Sequence, residues 1–246
     1  VEQSAAGLFK GVGLELGGKD PAYVLSDASI ASSVEGIVDG AFFNSGQSCC
    51  GIERVYVHER NFDEFVERAV ALVSDYQLGL PQDSATTLGP MVNAKAAGWV
   101  RQQIAQAVSK GAKSCVNSKN FPYHQDQGAY IAPQILINVD HTMSLMREES
   151  FGPVVGIMSV KNDDEAITLM NDSDFGLTAS LWTADLKIAQ KLGDVIQTGT
   201  VFMNRCDYLD PYLPWVGVKQ SGRGCTLSHI GYEQLTRPKS FHMRLL

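Results

Sequence analysis

The chain has 246 residues, of which 44% are hydrophobic and 19% are charged, so it can bury a sizeable core in one large domain or two small ones. Its formal net charge of −7, with no run of Lys or Arg, excludes a typical groove for nucleic acid or an anionic membrane. No apolar stretch is as long as a membrane span, and residues 1–10 lack the layout of a signal peptide. We therefore expect neither nucleic acid nor a membrane as a partner.

The cysteines indicate a reducing compartment, and we expect the cytoplasm. The chain has 5 cysteines, an odd and sparse number, and none forms a CxxC pair. A disulfide framework or a zinc site is therefore not expected.

Short β-branched runs alternate with longer helical stretches along most of the chain. The first strand is predicted over residues 22–25, and it precedes a helix that we expect Asp27 to cap. This helix leads directly into a turn that contains Cys49. A strand at residues 54–58 follows, and Asn61 with Glu64 predicts a capping box for the next helix.

The rest of the chain repeats this alternation. Further strands are predicted at 134–139, 154–160, 177–183 and 200–204, and further helices at 94–109, 163–171 and 186–192. Such alternation is typical of an α/β domain with three layers, α/β/α, around a largely parallel sheet. Residues 217–246 differ, because glycines interrupt a short helical piece before an alternating end at 240–246. This segment is expected to be an arm.

Cys49 is a candidate nucleophile. It lies in a glycine-containing turn after an amphipathic helix, where the sulfur can be exposed and backbone N–H groups can stabilise a thiolate and an oxyanion. The alternative is that Cys49 is a small buried hydrophobe, which is the commoner role of a single cysteine.

Several motifs in order resemble the aldehyde dehydrogenase family. Residues 43–49 (FNSGQSC) are similar to its cysteine signature, and residues 15–19 (ELGGK) to its glutamate signature, 34 positions earlier (49 minus 15). Further similar segments are 88–92 (LGPMV), 148–154 (EESFGPV), Asn171 with 175–179 (FGLTA), and 218–224 (VKQSGRG). The resemblance covers essentially the whole chain and implies the family's catalytic fold.

The resemblance implies a mechanism in which Cys49 attacks an aldehyde and forms a thiohemiacetal. Hydride then passes to NAD or NADP, and water deprotonated by Glu15 hydrolyses the thioester to a carboxylic acid. For Glu15 to act as this base, partial burial should raise its pKa towards neutrality.

The resemblance also implies residues that bind the cofactor. Glu149 matches the acidic residue that hydrogen-bonds the ribose beside the nicotinamide, and Phe151 matches the aromatic residue beside the ring. Without the family, Phe151 would be interpreted as a core anchor at a turn. Leu16 is expected to contact the nicotinamide through its backbone, and a core role is the alternative.

Two neighbouring residues have simpler predicted roles. Cys50 follows the nucleophile but matches a variable position, so we expect it to pack, and the alternatives are a vicinal disulfide or a role in shaping the pocket. Arg205 falls in the segment 204–215, where the family places a substrate-contacting loop. A surface salt bridge is expected for Arg205, and binding of an anionic substrate is the alternative.

The sequence departs from the family pattern upstream of Glu15. There is no GxGxxG turn, and Gly11 and Gly13 stand too near the chain start to follow a strand. The implied division is the end of a dinucleotide-binding domain at 1–19, a catalytic domain at 20–216, and a C-terminal arm at 217–246. We therefore expect a fragment, or a partner domain on another chain, and poor cofactor binding by this chain alone.

Four readings of function remain. The first is NAD(P)-dependent oxidation of a small aldehyde, in a parent enzyme expected to be a homodimer or homotetramer. The second is a CoA-acylating enzyme, although such enzymes lack the glutamate that Glu15 supplies. The third is thiol esterase activity that needs only Cys49 and Glu15. The fourth is a non-catalytic assembly module that uses residues 240–246 as an edge strand.

Overall fold

A computed structural model describes all 246 residues. The strands are β1 (Leu14–Glu15), β2 (Asp20–Val24), β3 (Ile52–His58), β4 (Lys113–Ser114), β5 (Gln134–Ile137), β6 (Val154–Val160), β7 (Phe175–Gly176), β8 (Thr178–Trp182), β9 (Thr200–Met203), β10 (Val218–Lys219) and β11 (Gly222–Arg223). The helices are α1 (Glu2–Ala5), α2 (Ile30–Phe42), α3 (Phe62–Ser74), α4 (Ala94–Ser109), α5 (Ser144–Arg147), α6 (Asp163–Asn171), α7 (Leu186–Gly193) and α8 (Ser228–Gln234).

Seven strands form the central sheet in the order β4-β5-β6-β3-β2-β8-β9. All neighbours are parallel except β4, which pairs antiparallel with β5 at the edge. The predicted α/β fold with a largely parallel sheet is confirmed. The pairs β1 with β11 and β7 with β10 are separate two-stranded antiparallel contacts.

Helices cover both faces of this sheet. Tyr23 of β2 and Tyr56 of β3 point into a core shared with α4, α6 and α7. Their neighbours Ala22 and Val55 point into the opposite core, shared with α2 and α3. This alternation follows from the two-residue period of a strand, and burial on both faces explains why the central strands are mostly apolar.

Two predicted helix caps are wrong, because the side chains bond elsewhere. The helix α2 begins after Ser29, and the Asp27 carboxylate accepts hydrogen bonds from Thr183 Oγ1 at 2.8 Å and the Ala184 N–H at 3.1 Å. Asn61 precedes α3 but does not cap it, and its Nδ2 donates to the Leu25 carbonyl at 2.8 Å. Both side chains therefore connect the ends of strands rather than start helices.

The last segment of the chain lies outside the sheet. Residues 235–246 form no helix or strand, and all of them are exposed. The domain boundaries and the pairing of residues 240–246 with another subunit stay predictions. None of the helices combines the length and the apolar composition needed to cross a bilayer.

Candidate active site

The predicted site residues lie at the end of the sheet where its central strands begin. The segment that begins at Glu15 leads into β2, Cys49 lies three residues before β3, and the turn with Glu149 and Phe151 leads into β6. These three strands are parallel neighbours in the order β6-β3-β2, so their amino ends lie side by side. The topology therefore brings together three segments that are far apart in sequence.

The loop before Cys49 has an unusual backbone. Asn44, Ser45 and Gly46 have φ values of 50°, 58° and 70°, in the left-handed region. Such a conformation costs roughly 1–3 kcal/mol at each non-glycine residue and persists only where surrounding contacts hold it. A Cβ at Gly46 would lie 2.2 Å from the Gly152 carbonyl oxygen, so only glycine fits there.

Side chains of the loop provide those contacts with residues 88–92, a segment singled out in the sequence. Ser45 Oγ donates to the Gly89 carbonyl at 2.8 Å. Gln47 accepts from the Val92 N–H at 2.7 Å and donates to the Asn44 carbonyl at 3.0 Å. The position of Cys49 is thus determined by a strained but well-connected loop.

Cys49 is exposed, as a nucleophile must be. The neighbouring Cys50 thiol lowers the pKa of Cys49 to about 7, and the backbone N–H of Cys49 acts in the same direction. Partial burial and the carboxylates of Asp207 and Glu149 oppose this effect. A substantial share of Cys49 is therefore thiolate near neutral pH, which is the reactive form.

Cys50 is buried, and its predicted packing role is confirmed by its place in a small core cluster with Leu177, Phe202 and Trp215. Its Sγ also lies 2.8 Å from Asp207 Oδ1, and Ser48 Oγ lies 3.2 Å from the same oxygen. A thiol has one proton, and the Cys50 thiol donates it to Asp207 in this structure, so Asp207 competes with Cys49 for that proton. The interaction with Cys49, burial and the hydrogen bond to Asp207 raise the pKa of Cys50, and Ser48 opposes the shift.

The glutamate segment contacts the Cys49 loop through its glycines. A Cβ at Gly18 would lie 2.5 Å from the Cys49 carbonyl oxygen, so a larger residue would push the two segments apart. The Gly18 N–H donates to Glu149 Oε1 at 2.9 Å. One glycine therefore connects the segment of Glu15, the loop of Cys49 and the turn of Glu149.

Glu149 and Phe151 face the same edge of the sheet. Glu149 is half-buried, and burial raises its pKa although the Gly18 N–H opposes the shift. Phe151 is 39% exposed and has a φ of 48°. Phe151 is therefore not buried in the core, and its interpretation as a core anchor is wrong for this structure.

Glu15 is placed differently from expectation. Its side chain is exposed rather than partly buried, and its Oε1 accepts a short hydrogen bond from Thr226 Oγ1. A cavity of about 740 Å³ borders Glu15, Arg223 and Thr226, and Cys49 is not among the residues that line it. The cause is the pairing of β1 with β11, which turns Glu15 towards the C-terminal segment. The core alternative for Leu16 is also wrong, because its side chain is 49% exposed.

Comparison with known proteins assigns a family to this arrangement. The sequence model of the "Aldehyde dehydrogenase family" matches residues 1–241. The chain belongs to the aldehyde dehydrogenase family.

Individual relatives agree with this assignment. The chloroplastic betaine aldehyde dehydrogenase of Atriplex hortensis is 36% identical over 95% of this chain and 46% of its own length. The NAD⁺ complex of a Bacillus cereus aldehyde dehydrogenase has a TM-score of 0.90 and 30% identity, over 96% of this chain and 48% of that one. An NADP-dependent glyceraldehyde-3-phosphate dehydrogenase from Bacillus halodurans, solved with NADP, has a TM-score of 0.85 and 36% identity, over 91% and 46%. The chain thus spans about half the length of these relatives.

Arg205 departs from the role expected of it in this aldehyde dehydrogenase chain. It forms no ion pair, and its guanidinium lies 3.6 Å from the centre of the Tyr208 ring. The predicted surface salt bridge is wrong, because the guanidinium makes a cation–π contact with the neighbouring Tyr208 ring instead.

Sequence reasoning missed three side chains around the site. Asp207 contacts Cys50, and Thr226 contacts Glu15. Asp207 belongs to the segment 204–215, for which the resemblance implies substrate contact but no role beside Cys50, and no local pattern marks Thr226. Glu53 lies in β3 and is buried beside Lys19. The adjacent charged residues Glu53 and Arg54 in a mostly apolar strand are the signal that could have found it.

Proposed function

We propose that this chain carries the thiol chemistry of an NAD- or NADP-dependent oxidation of a small aldehyde to a carboxylic acid. The observation that supports it most directly is Cys49, an exposed thiol with a pKa of about 7 on a loop held at the amino ends of three adjacent strands. Membership of the aldehyde dehydrogenase family supports the same reaction class.

In the proposed mechanism Cys49 is the nucleophile. Its thiolate forms a C–S bond to the aldehyde carbon, and the carbonyl electron pair moves to oxygen as an oxyanion. Backbone N–H groups of the turn, including that of Cys49, are the donors available to stabilise this charge. Once the acyl group is a thioester, water attacks it and the C–S bond breaks, which returns the Cys49 thiolate.

Glu15 is the proposed base that takes the proton from the attacking water. Two residues lie between Glu15 and Gly18, and Gly18 contacts the Cys49 carbonyl oxygen, so the backbones of Glu15 and Gly18 are at most about 11 Å apart. A side chain and one water molecule can bridge a gap of this size. Glu15 must first release the hydroxyl of Thr226, so its working position differs from the one described above.

The residues present fit the nicotinamide end of a dinucleotide. Glu149 is half-buried, with Oε1 bonded to the Gly18 N–H, and its Oε2 remains available to accept from a ribose hydroxyl. The exposed ring of Phe151 offers an apolar surface beside it, and the backbone of Leu16 is the third proposed contact. When bound, NAD or NADP supplies the hydride acceptor for the oxidation. We also propose that the parent enzyme is a homodimer or homotetramer, as the resemblance implies.

Ester hydrolysis tests the thiol chemistry of this chain directly. The chain is incubated with p-nitrophenyl acetate, and separately with aldehyde plus NAD or NADP, alongside Cys49→Ala. We expect Cys49→Ala to lower ester turnover by three orders of magnitude or more, roughly the effect of removing a catalytic nucleophile. Cys115→Ala, which removes a partly exposed thiol far from the site in sequence, serves as the matched control. Equal turnover in Cys49→Ala and Cys115→Ala would exclude Cys49 as the nucleophile.

A further inference from the structure

Lys19, Glu53 and Ser150 form a buried polar cluster under the candidate site. Their exposures are 1%, 4% and 2%. Lys19 Nζ forms a short ion pair with Glu53 Oε2 and donates to Ser150 Oγ at 3.0 Å. Burial lowers the pKa of Lys19, and the carboxylate of Glu53 opposes this shift.

The Glu53 carboxylate is the centre of this cluster. Besides the Lys19 ammonium, it accepts hydrogen bonds from the Ser150 N–H at 2.8 Å and from the Phe151 N–H at 2.8 Å. Both donors are backbone groups of the turn that carries Glu149 and Phe151. Glu53 therefore connects this turn to the last residue of the 15–19 segment.

Both connected segments need such support. Phe151 has a φ of 48°, so its turn is in a conformation that a side chain disfavours and that the bonds to Glu53 help to hold. On the other side, the Lys19 carbonyl accepts from Arg54 Nε at 2.8 Å, and Arg54 is itself buried. Glu53 and Arg54 are adjacent in β3, so one strand secures both segments.

Stability alone is a weak explanation for this cluster. A buried ion pair is often no more stabilising than apolar residues of similar volume, because both charges lose their hydration. The bonds of Glu53, by contrast, go to the two segments that the proposed function requires to be aligned. The directional contacts are thus concentrated where alignment matters.

We propose that Glu53 is a positioning residue, whose carboxylate aligns the Glu149–Phe151 turn with the Glu15–Lys19 segment. This inference rests on the proposed function, since it assigns Glu53 an effect on the step that uses Glu15. Glu53 acts through backbone groups and Lys19, and it does not contact the reacting atoms.

The test uses the full chain with Glu53→Gln, which keeps the shape and removes the charge. Trp99 reports on the turn directly, because its Nε1 donates to the Glu149 carbonyl at 2.9 Å. Trp99→Phe, in both the wild-type and the Glu53→Gln chains, identifies its share of the emission. The second readout is p-nitrophenyl acetate hydrolysis, resolved into the acylation burst and the deacylation rate.

Two further variants separate positioning from general destabilisation. Tyr23→Phe removes a hydrogen bond of 2.8 Å to Asp163 from the interior of the same sheet, away from the amino ends of the strands. Glu53→Gln leaves the Lys19 ammonium without its carboxylate partner. Lys19→Met combined with Glu53→Gln removes this ammonium but does not restore the bonds to the turn. Glu53→Asp, which keeps the charge, is the conservative variant.

We expect Glu53→Gln to shift the Trp99 emission and to slow deacylation about tenfold, while the acylation burst stays close to wild type. Tyr23→Phe should change neither readout, the double variant should stay slow, and Glu53→Asp should recover part of the rate. Unchanged Trp99 emission in Glu53→Gln would overturn the proposal, as would wild-type deacylation. If Cys49→Ala retains ester turnover, the proposed function fails, and the Trp99 emission still decides by itself whether Glu53 holds the turn.

Discussion

The segments around Cys49 and around Glu15 are held in different ways. The Cys49 loop has a left-handed backbone secured by Ser45 and Gln47, whose partners lie in residues 88–92. Glu15 lies in a two-residue strand, is exposed, and has one side-chain partner, Thr226. In the proposed mechanism, contacts within this chain hold Cys49 in place, whereas Glu15 has to move away from Thr226 to reach the water that it activates.

The largest expected effect concerns Glu15 itself. Glu15→Gln should slow deacylation about a hundredfold, because a general base contributes roughly that factor or more, while acylation by Cys49 continues. Burst and steady-state rates with p-nitrophenyl acetate separate the two steps. Glu67→Gln removes an exposed carboxylate on α3 and should leave both rates at wild type. Equal loss of burst and steady-state rates in Glu15→Gln would show that Glu15 already acts in acylation, which contradicts its assignment to the deacylation step alone.

Cys50 is expected to have the next largest effect. The rate of Cys49 alkylation by iodoacetamide should rise with pH around a midpoint near 7, because only the thiolate reacts. Cys50→Ala removes the neighbouring thiol that lowers the pKa of Cys49. Its midpoint should therefore move to higher pH, and alkylation at pH 7 should fall about tenfold. Cys50→Ser keeps a donor and should stay closer to wild type, and an unchanged midpoint in Cys50→Ala would contradict the assignment.

Removing the charge of Asp207 should shift the pH profile of Cys49 alkylation to lower pH, opposite to the shift expected for Cys50→Ala. Its carboxylate raises the pKa of Cys49 and also competes for the Cys50 proton. Asp207→Asn should therefore lower the midpoint and increase alkylation at pH 6 by about threefold. Asp210→Asn changes a carboxylate of the same loop that bonds to the Tyr212 N–H and serves as the control. A midpoint at higher pH in Asp207→Asn would show that Asp207 stabilises the thiolate.

The smallest expected effect is at Thr226. Thr226→Val keeps the shape of the side chain and removes the hydroxyl that holds Glu15. If the Glu15 carboxylate must leave Thr226 to reach water, deacylation should become faster by about threefold. Pre-steady-state measurement of deacylation gives the rate, with Thr236→Val as the control at a hydroxyl that bonds the Tyr232 carbonyl. Slower deacylation would mean that Thr226 holds Glu15 in its working position.

Most of the fold was predictable from the sequence. Helix α4 and strand β6 have the predicted bounds, because long apolar patterns with one period determine the type of element. The two-residue strands β1 and β11 were not predicted, since pairs this short have no periodicity and form only through tertiary contacts. The caps at Asp27 and Asn61 failed for the same reason, as distant partners took both side chains.

The candidate site was predictable only in part. Motif resemblance selected Cys49, Glu15 and Glu149, and the structure brings their segments to one edge of the sheet. It did not predict the exposure of Glu15, which depends on the pairing of β1 with a strand more than two hundred residues away in sequence. Nor did it predict Asp207 beside Cys50, because that contact depends on how the loop after β9 returns along α2.

The most direct test of the central claim is to identify the acylated residue. The Glu15→Gln chain is mixed with p-nitrophenyl acetate, quenched, and analysed by intact mass and peptide mapping. We predict that one acetyl group accumulates on Cys49, because acylation proceeds and hydrolysis is slow, and that Cys49→Ala forms no such adduct. An acetyl group on another residue, or none on Cys49, would contradict the assignment of Cys49 as the nucleophile.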